Sequence, residues 1–494
     1  MDGPCSQKLL RDFSQLSDSC DAYGRIHYHL SMETNYLKSI VLLLAGLSIA
    51  ACGNDDKGPC DPLAQTGCEA GLTCENVEGA EPACFAPVVV RGQVSDLLDG
   101  DAVGDANVVA LDVNGAAVSS VAVSDSAGDY ELTIPSTRQA DGTPYPVEMT
   151  LRADASGYQT FPSGLRQALP IDTASAVDMD GQLVVRSALT DIGLLALPPD
   201  SGAGIIRGTV DLPEVRTGIL VVATGGDGVG YAGVANLDGD YQLFNLPAGS
   251  YEVQAYARGV NYVPGLVDLP DAGDEIVDLA LDGSAPGIVM GDVQIVNAGG
   301  EAMTSVILAV ESTFDDYLGR GKTVPGLRAP DPGVAPNITG AYEITGVPAG
   351  RYVVLAAFEN DNLVRDPDLS IGGTATLHIE VMSDATTTVD GFKVTEALEV
   401  FGPGADAPEL VGEPLMLSWK DDSSEDQYLV EVFDAFGELI WDTTTPGYSG
   451  DDPSILYEGP ALVPGMYYQF RVTSSKDGTP ISRTEDLKGV FYTE

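Results

Sequence analysis

Four cysteines fall within CDPLAQTGCEAGLTCENVEGAEPAC, at Cys60, Cys68, Cys74 and Cys84. Sulfur at this density either pairs or ligates a metal. Neighbouring cysteines are separated by seven, five and nine residues, with no C-x-x-C and no nearby histidine. That pattern favours two disulfides over zinc, with three connectivities open. A segment this short has no core of its own, so the bridges must hold it. Histidine is scarce: the chain has three, and only His378 follows Cys52. In TATLHIEV it alternates with Ala375, Leu377 and Ile379, which places it on the polar face of a strand. One histidine cannot build a two-histidine zinc centre, and no G-x-S-x-G is present. Gly228 to Gly233 (GVGYAG) spells a dinucleotide motif, but VANLDGDYQL follows it, a strand and a turn where the motif needs a helix. Asp99 to Asp105 (DGDAVGD) has acidic calcium-loop spacing. Val103 stands fifth and Ala110 twelfth, where ligands are required, so solvated turn acids are expected. Apart from Ca2+ at such turns, no cofactor is expected, and no catalytic or metal residue is assigned. Sugar platforms need exposed aromatics; Trp441, Tyr231, Tyr256, Tyr262 and Tyr317 are the candidates.

These residues must be carried on strands. From Val88 onward the pattern has period two, with short Val, Ile, Tyr, Leu and Thr runs broken by Asp-Gly, Ala-Gly and Pro-Gly. Many short strands with frequent turns predict β-sandwiches. GDYQLFNLPAGSYEVQAYA (Gly239 to Ala257) returns as GAYEITGVPAGRYVVLAAF (Gly340 to Phe358). Tyr241 and Leu243, then Tyr251, Val253 and Ala255, share an apolar face. Glu252, Gln254 and Tyr256 take the other face. The Pro-Ala-Gly between them is read as a turn, in which Pro247 fixes φ and Gly249 can take a positive φ at little cost. A weaker copy, SDSAGDYELTIP (Ser124 to Pro135), has Ser136 to Val147 in place of that turn. Each copy follows a first strand, VVRGQV, IIRGTV or IVMGDV. A repeat near a hundred residues means tandem globular domains.

The chain has 494 residues and a net charge of -50, from 74 acidic and 24 basic residues. Such a surface repels phosphate backbones, so no nucleic-acid partner is expected. IVLLLAGLSI (Ile40 to Ile49) is too short to span a bilayer and fits the apolar core of a signal peptide. The following IAAC resembles the lipobox of bacterial lipoproteins. That resemblance implies lipidation at Cys52 and a membrane contact through the lipid anchor, with acyl chains enough for stable attachment. Met32 gives a leader of ordinary length, so residues 1–31 are read as a mis-called extension and 32–51 as the signal peptide. Residues 52–87 form the lipidated, cysteine-rich segment. No Asp follows Cys52 directly, which favours the outer membrane or cell surface.

The repeated Gly-x-Val, Gly-x-Tyr-x-Leu/Ile and Pro-Ala-Gly-x-Tyr-x-Val elements resemble the carboxypeptidase regulatory-like family, whose domains are transthyretin-like sandwiches. The resemblance covers domains at 88–200, 203–283 and 286–394 and implies no peptidase activity. At 399–494, LVPGMYYQFRVTS resembles a fibronectin type III strand, with Tyr468 as the tyrosine-corner residue and Trp419 as the core tryptophan. The expectation is an all-β chain of tandem sandwiches, not an enzyme: a lipid-anchored surface adhesion or scaffold module with a protein or glycan ligand. The alternatives are a carbohydrate-binding surface lipoprotein and a structural spacer of a surface enzyme or transport assembly.

Overall fold

The computed structural model describes residues 60–494 apart from 63–64, 165, 199–200, 202, 214–217, 297–301, 317, 358–362, 366–374, 449–451 and 494. Expectations for 1–31, the signal peptide 32–51, Cys52 and Tyr317 lie outside the described residues. Among the described residues, strands dominate and the only helices are three-residue 3-10 turns.

Three sandwiches share one strand order. In the second, Gly204–Thr209 lies between Asp240–Leu246, antiparallel, and Asp274–Ile276, parallel. The opposing sheet runs Gly230–Val234, Leu220–Gly225, Gly249–Tyr256, Gly265–Leu269. The third repeats this with Gly287–Val296 between Ala341–Val347 and the parallel strands Thr386–Thr388 and Phe392–Glu396. Its facing sheet runs Thr323–Ala329, Val306–Val310, Gly350–Ala356, Leu377–Val381. In the first, Val88–Asp96 pairs with Asp129–Ile134 on one side and in parallel with Gln182–Val185 and Ile192–Ala196 on the other. The fourth sandwich differs. Val400–Gly402, Met416–Trp419 and Ser454–Leu456 face a sheet led by Leu439–Pro446, Gln427–Asp434, Tyr467–Lys476 and Val490–Tyr492.

The repeated tyrosines are interior, as alternation requires: Tyr241, Tyr251, Tyr342 and Tyr352 are all buried. Each first-strand glycine sits directly opposite a Gly-x-Tyr tyrosine, in the pairs Gly92–Tyr130, Gly208–Tyr241 and Gly291–Tyr342. A Cβ on Gly92 would lie 1.8 Å from the Thr190 carbonyl oxygen, and one on Gly208 2.0 Å from that of Val277. The same two carbonyls accept the hydroxyls of Tyr130 and Tyr241, at 2.5 and 2.6 Å. In the first two sandwiches the glycine is therefore the space into which a buried hydroxyl and its acceptor fit. A phenol taken from water into a core needs such a partner. In the third the glycine makes room for the Tyr342 hydroxyl alone, which has no hydrogen-bond partner among the described residues.

The Pro-Ala-Gly turn does not use the freedom that its glycine allows. Gly249 does not have a positive φ; the left-handed residue is Asn245 (φ 63°), matched by Gly346 (φ 72°) in the third sandwich. Both stand where the strand register shifts. The bulge turns the chain before Pro247 is reached, and Asn and Gly are residues that tolerate that conformation. The turn is then tied down by its own tyrosine. Tyr251 donates to the Pro247 carbonyl at 2.7 Å, and Tyr352 to that of Pro348 at 2.9 Å.

Candidate functional site

Cys60 is bonded to Cys74, and Cys68 to Cys84. Among the described residues, the one grouping of potential metal ligands comprises Cys60, Cys68 and Cys84, whose sulfurs are already in these bridges. The segment docks onto the first sandwich through Ser136 to Val147, the stretch that replaces Pro-Ala-Gly there. Arg138 reaches the buried Glu75 carboxylate, Ser136 N donates to Glu75 at 3.2 Å, and Arg138 Nη2 donates to the Ala86 carbonyl at 2.9 Å. The Arg138 guanidinium also lies 4.6 Å from the centre of the Phe85 ring. No motif announces this clasp; the only sequence signal is the length of the insertion.

The second and third sandwiches are joined through the face assigned to polar residues. Tyr256 is buried, packing edge-on against Tyr352 at 6.0 Å, in one core cluster with Leu220, Val222 and the third sandwich. The turn at Pro348, Ala349 and Gly350 is the seat. Gln254 Nε2 donates to the Ala349 carbonyl at 2.8 Å, and Ala349 N donates to Asn261 Oδ1 at 2.7 Å. A Cβ on Gly350 would meet the Tyr256 ring at 3.1 Å. The equivalent turn at Pro247, Ala248 and Gly249 is exposed. Asn245 beside it binds the first sandwich instead, accepting from Gly157 N at 2.8 Å and donating to the carbonyls of Ala155 and Tyr158.

Beside this junction opens a cleft of about 1190 Å3. Its third-sandwich wall carries Glu311, from a 3-10 turn, with Arg351 and His378 from neighbouring strands. His378 Nδ1 lies 2.7 Å from Glu311 Oε1, and Arg351 pairs with the same carboxylate. The Arg351 hydrogen bond, against a smaller opposing effect of burial and with help from His378, holds Glu311 below the usual carboxylate range. His378 is exposed, as expected of it, and its ring is spent on positioning this carboxylate. Glu252, Asp268 and Glu380 also line the cleft, so its field is acidic. It suits a cationic or hydrogen-bonding partner.

Gly228 to Gly233 spans the turn and return strand of a β-hairpin. Asp96 and Asp99 accept backbone N–H groups of their own turn, from Leu98, Asp99 and Asp101. Of the aromatic platforms, Tyr256 and Tyr262 are buried, a correction with two causes: the third sandwich packs over Tyr256, and Tyr262 turns into the core of its own sandwich. Tyr231 and Trp441 are half-buried, edge-on to Tyr251 and Tyr457. Trp419 is fully buried against Tyr428, ring centres 5.4 Å apart. Tyr468 is buried, and its hydroxyl accepts the Val463 N–H at 2.7 Å.

No family model matches the chain, and no curated protein matches it. Among solved structures, it is similar to the Bacillus anthracis TIE protein, at 12% identity over 82% of this chain and 73% of that one, TM-score 0.15. It is also similar to GBS52, the minor pilin of Streptococcus agalactiae (15% identity, 42% of this chain, 99% of that one, TM-score 0.18). The shaft pilin SpaA of Lactobacillus rhamnosus GG gives 10% identity, 43% of this chain, 99% of that one and TM-score 0.16.

Proposed function

We propose that the chain is a non-catalytic adhesion or scaffold module, exported and lipid-anchored through Cys52 at the outer membrane or cell surface. The observation that carries this reading is the coupling of its sandwiches. Cores and reciprocal side-chain to backbone bonds cross from the first to the second and from the second to the third. Such coupling suits a rigid support that presents a surface away from its anchor. The shared strand order supports the carboxypeptidase regulatory-like resemblance of the first three sandwiches, and the Tyr468 corner supports the fibronectin type III-like resemblance of the fourth. The interior placement of Tyr256 and Tyr262 weighs against a sugar platform.

The test compares cells displaying the chain with cells carrying Cys52→Ser. Radiolabelled palmitate should enter the first chain only, and the variant should appear in the soluble fraction. Attachment to immobilised protein surfaces should fall with it. Equal attachment by both strains would overturn adhesion through the displayed chain, and palmitate retained in Cys52→Ser would overturn the anchor. A glycan-array signal abolished by Trp441→Ala would instead establish the carbohydrate-binding alternative.

A further inference from the structure

A second cavity, of about 240 Å3, lies where the first, third and fourth sandwiches meet. Its charge is opposite to that of the molecule. Of 24 basic residues in the chain, five line it: Arg166, Arg320, Lys322, Arg471 and Arg483; of 74 acidic residues, three do: Asp112, Asp315 and Asp486. Those acids are already committed. Asp486 pairs with Arg471 at 2.6 Å and also with Arg320. Asp112 accepts the backbone N–H groups of Asn114 and Ala116, and Asp315 that of Leu318. Lys322 forms no ion pair among the described residues. Arg166 is 7% exposed; it pairs with Glu438 through Nε and donates from Nη2 to the carbonyls of Gly193 and Phe436, while its buried Nη1 has no hydrogen-bond partner. The buried Ser163 hydroxyl on the same wall has none either.

We propose that this cavity binds a small multivalent oxyanion, a phosphate- or carboxylate-bearing molecule, held by Lys322, Arg166 and Ser163 across the junction of the three sandwiches. Burying a charge or a donor without a partner is costly, and here the Lys322 amine has no ion pair among the described residues while Arg166 Nη1 and the Ser163 hydroxyl have no acceptor. An oxyanion supplies it, accepting the free guanidinium and hydroxyl donors in the geometry that arginine favours. The volume is below the range of drug-sized pockets and suits a compact ligand. Burial, then the neighbouring Arg152, and Arg320 beyond it, lower the Lys322 amine to about 7 against the opposing pull of Asp154. A bound anion would favour its charged form, so binding should be tighter at pH 6 than at pH 8.5.

The test uses the full chain, with sulfate (constant in charge over this range) and succinate as probes, each against sodium chloride at equal ionic strength. Thermal unfolding at pH 6 should shift upward by about 2 °C or more beyond the chloride control for at least one probe. The excess should shrink at pH 8.5, vanish in Lys322→Met, and persist in Lys322→Arg and in the surface control Lys476→Met. Which probe acts assigns the tetrahedral or the carboxylate head. The same shift in Lys322→Met, or none beyond chloride in the unaltered chain, overturns the proposal. Should Lys322→Met fail to fold, crystals of the unaltered protein soaked in selenate decide. Anomalous density within hydrogen-bond distance of Lys322 upholds the site, and its absence there refutes it.

Discussion

At the scale of the residue, two glycines of the same repeat have opposite roles. Gly208 faces Tyr241, and a methyl there would fall 2.0 Å from the Val277 carbonyl, inside backbone that cannot rotate away. Gly249, in the more conspicuous Pro-Ala-Gly, is exposed, and a Cβ on it would meet Tyr251 at an ordinary 3.6 Å. Gly208→Ala should therefore destabilise the second sandwich by about 3 kcal/mol, the upper part of the range for an overpacked core. Gly249→Ala should change stability by no more than about 0.5 kcal/mol. Hydrogen exchange of the amides in Leu220–Gly225 and Gly249–Tyr256 measures both; equal protection loss in the two variants would show that the tyrosine pocket is not the reason for the motif. The residue types were legible here, since Gly-x-Val and Gly-x-Tyr recur in the sequence. Their pairing was not, because it depends on which strands become neighbours, and the residue with positive φ proved to be Asn245.

At the scale of the element, the insertion Ser136 to Val147 shows how a degenerate repeat acquires a task. Where the second and third sandwiches close with Pro-Ala-Gly, the first extends a loop whose Arg138 enters the disulfide-bonded segment. Glu75 has no exposed side-chain surface, and that of Arg138 is 4% exposed. Removing one member of such a pair strands the other charge in a site without water, at a cost of about 3–5 kcal/mol. Arg138→Met should therefore loosen the docking of 73–85 by about that amount while leaving both disulfides formed. The double variant Glu75→Leu with Arg138→Met should recover most of the loss. Exchange rates in Thr73–Val77 and Ala80–Phe85 read the difference, and a single variant as protected as the unaltered chain would refute the clasp. The alternation of apolar residues made the strands legible, and the spacing of cysteines made the bridges legible. The ion pair was hidden because its two members lie 63 positions apart in segments with no shared pattern.

At the scale of the whole molecule, period two states which residues share a face but not what covers it. Glu252, Gln254 and Tyr256 read as a solvent face, and their exposures do differ: Glu252 is exposed, while Tyr256 is interior because the third sandwich sets its Pro348 to Gly350 turn against it. That junction should make the two sandwiches unfold together. Independent domains would melt as two events, whereas a shared core cluster containing Leu220, Val222, Tyr256 and Tyr352 couples them into one. Tyr256→Ala removes the central ring from that cluster, a loss of about 3 kcal/mol for a large buried aromatic. It leaves both individual sandwich cores with their own residues, Tyr241, Leu243 and Val253 in one and Tyr342, Ile344 and Val354 in the other. Calorimetry of the full chain should accordingly show one transition for the pair, resolving into two when Tyr256 is replaced. The same split should appear in Asn261→Ala, which withdraws the acceptor of Ala349 N and the donor to Ser284, Ala285 and Ser383 while leaving the residues of both apolar cores in place. Two transitions already present in the unaltered chain would mean that the sandwiches are strung together rather than fused, and the rigid presentation proposed for this molecule would lose its physical basis.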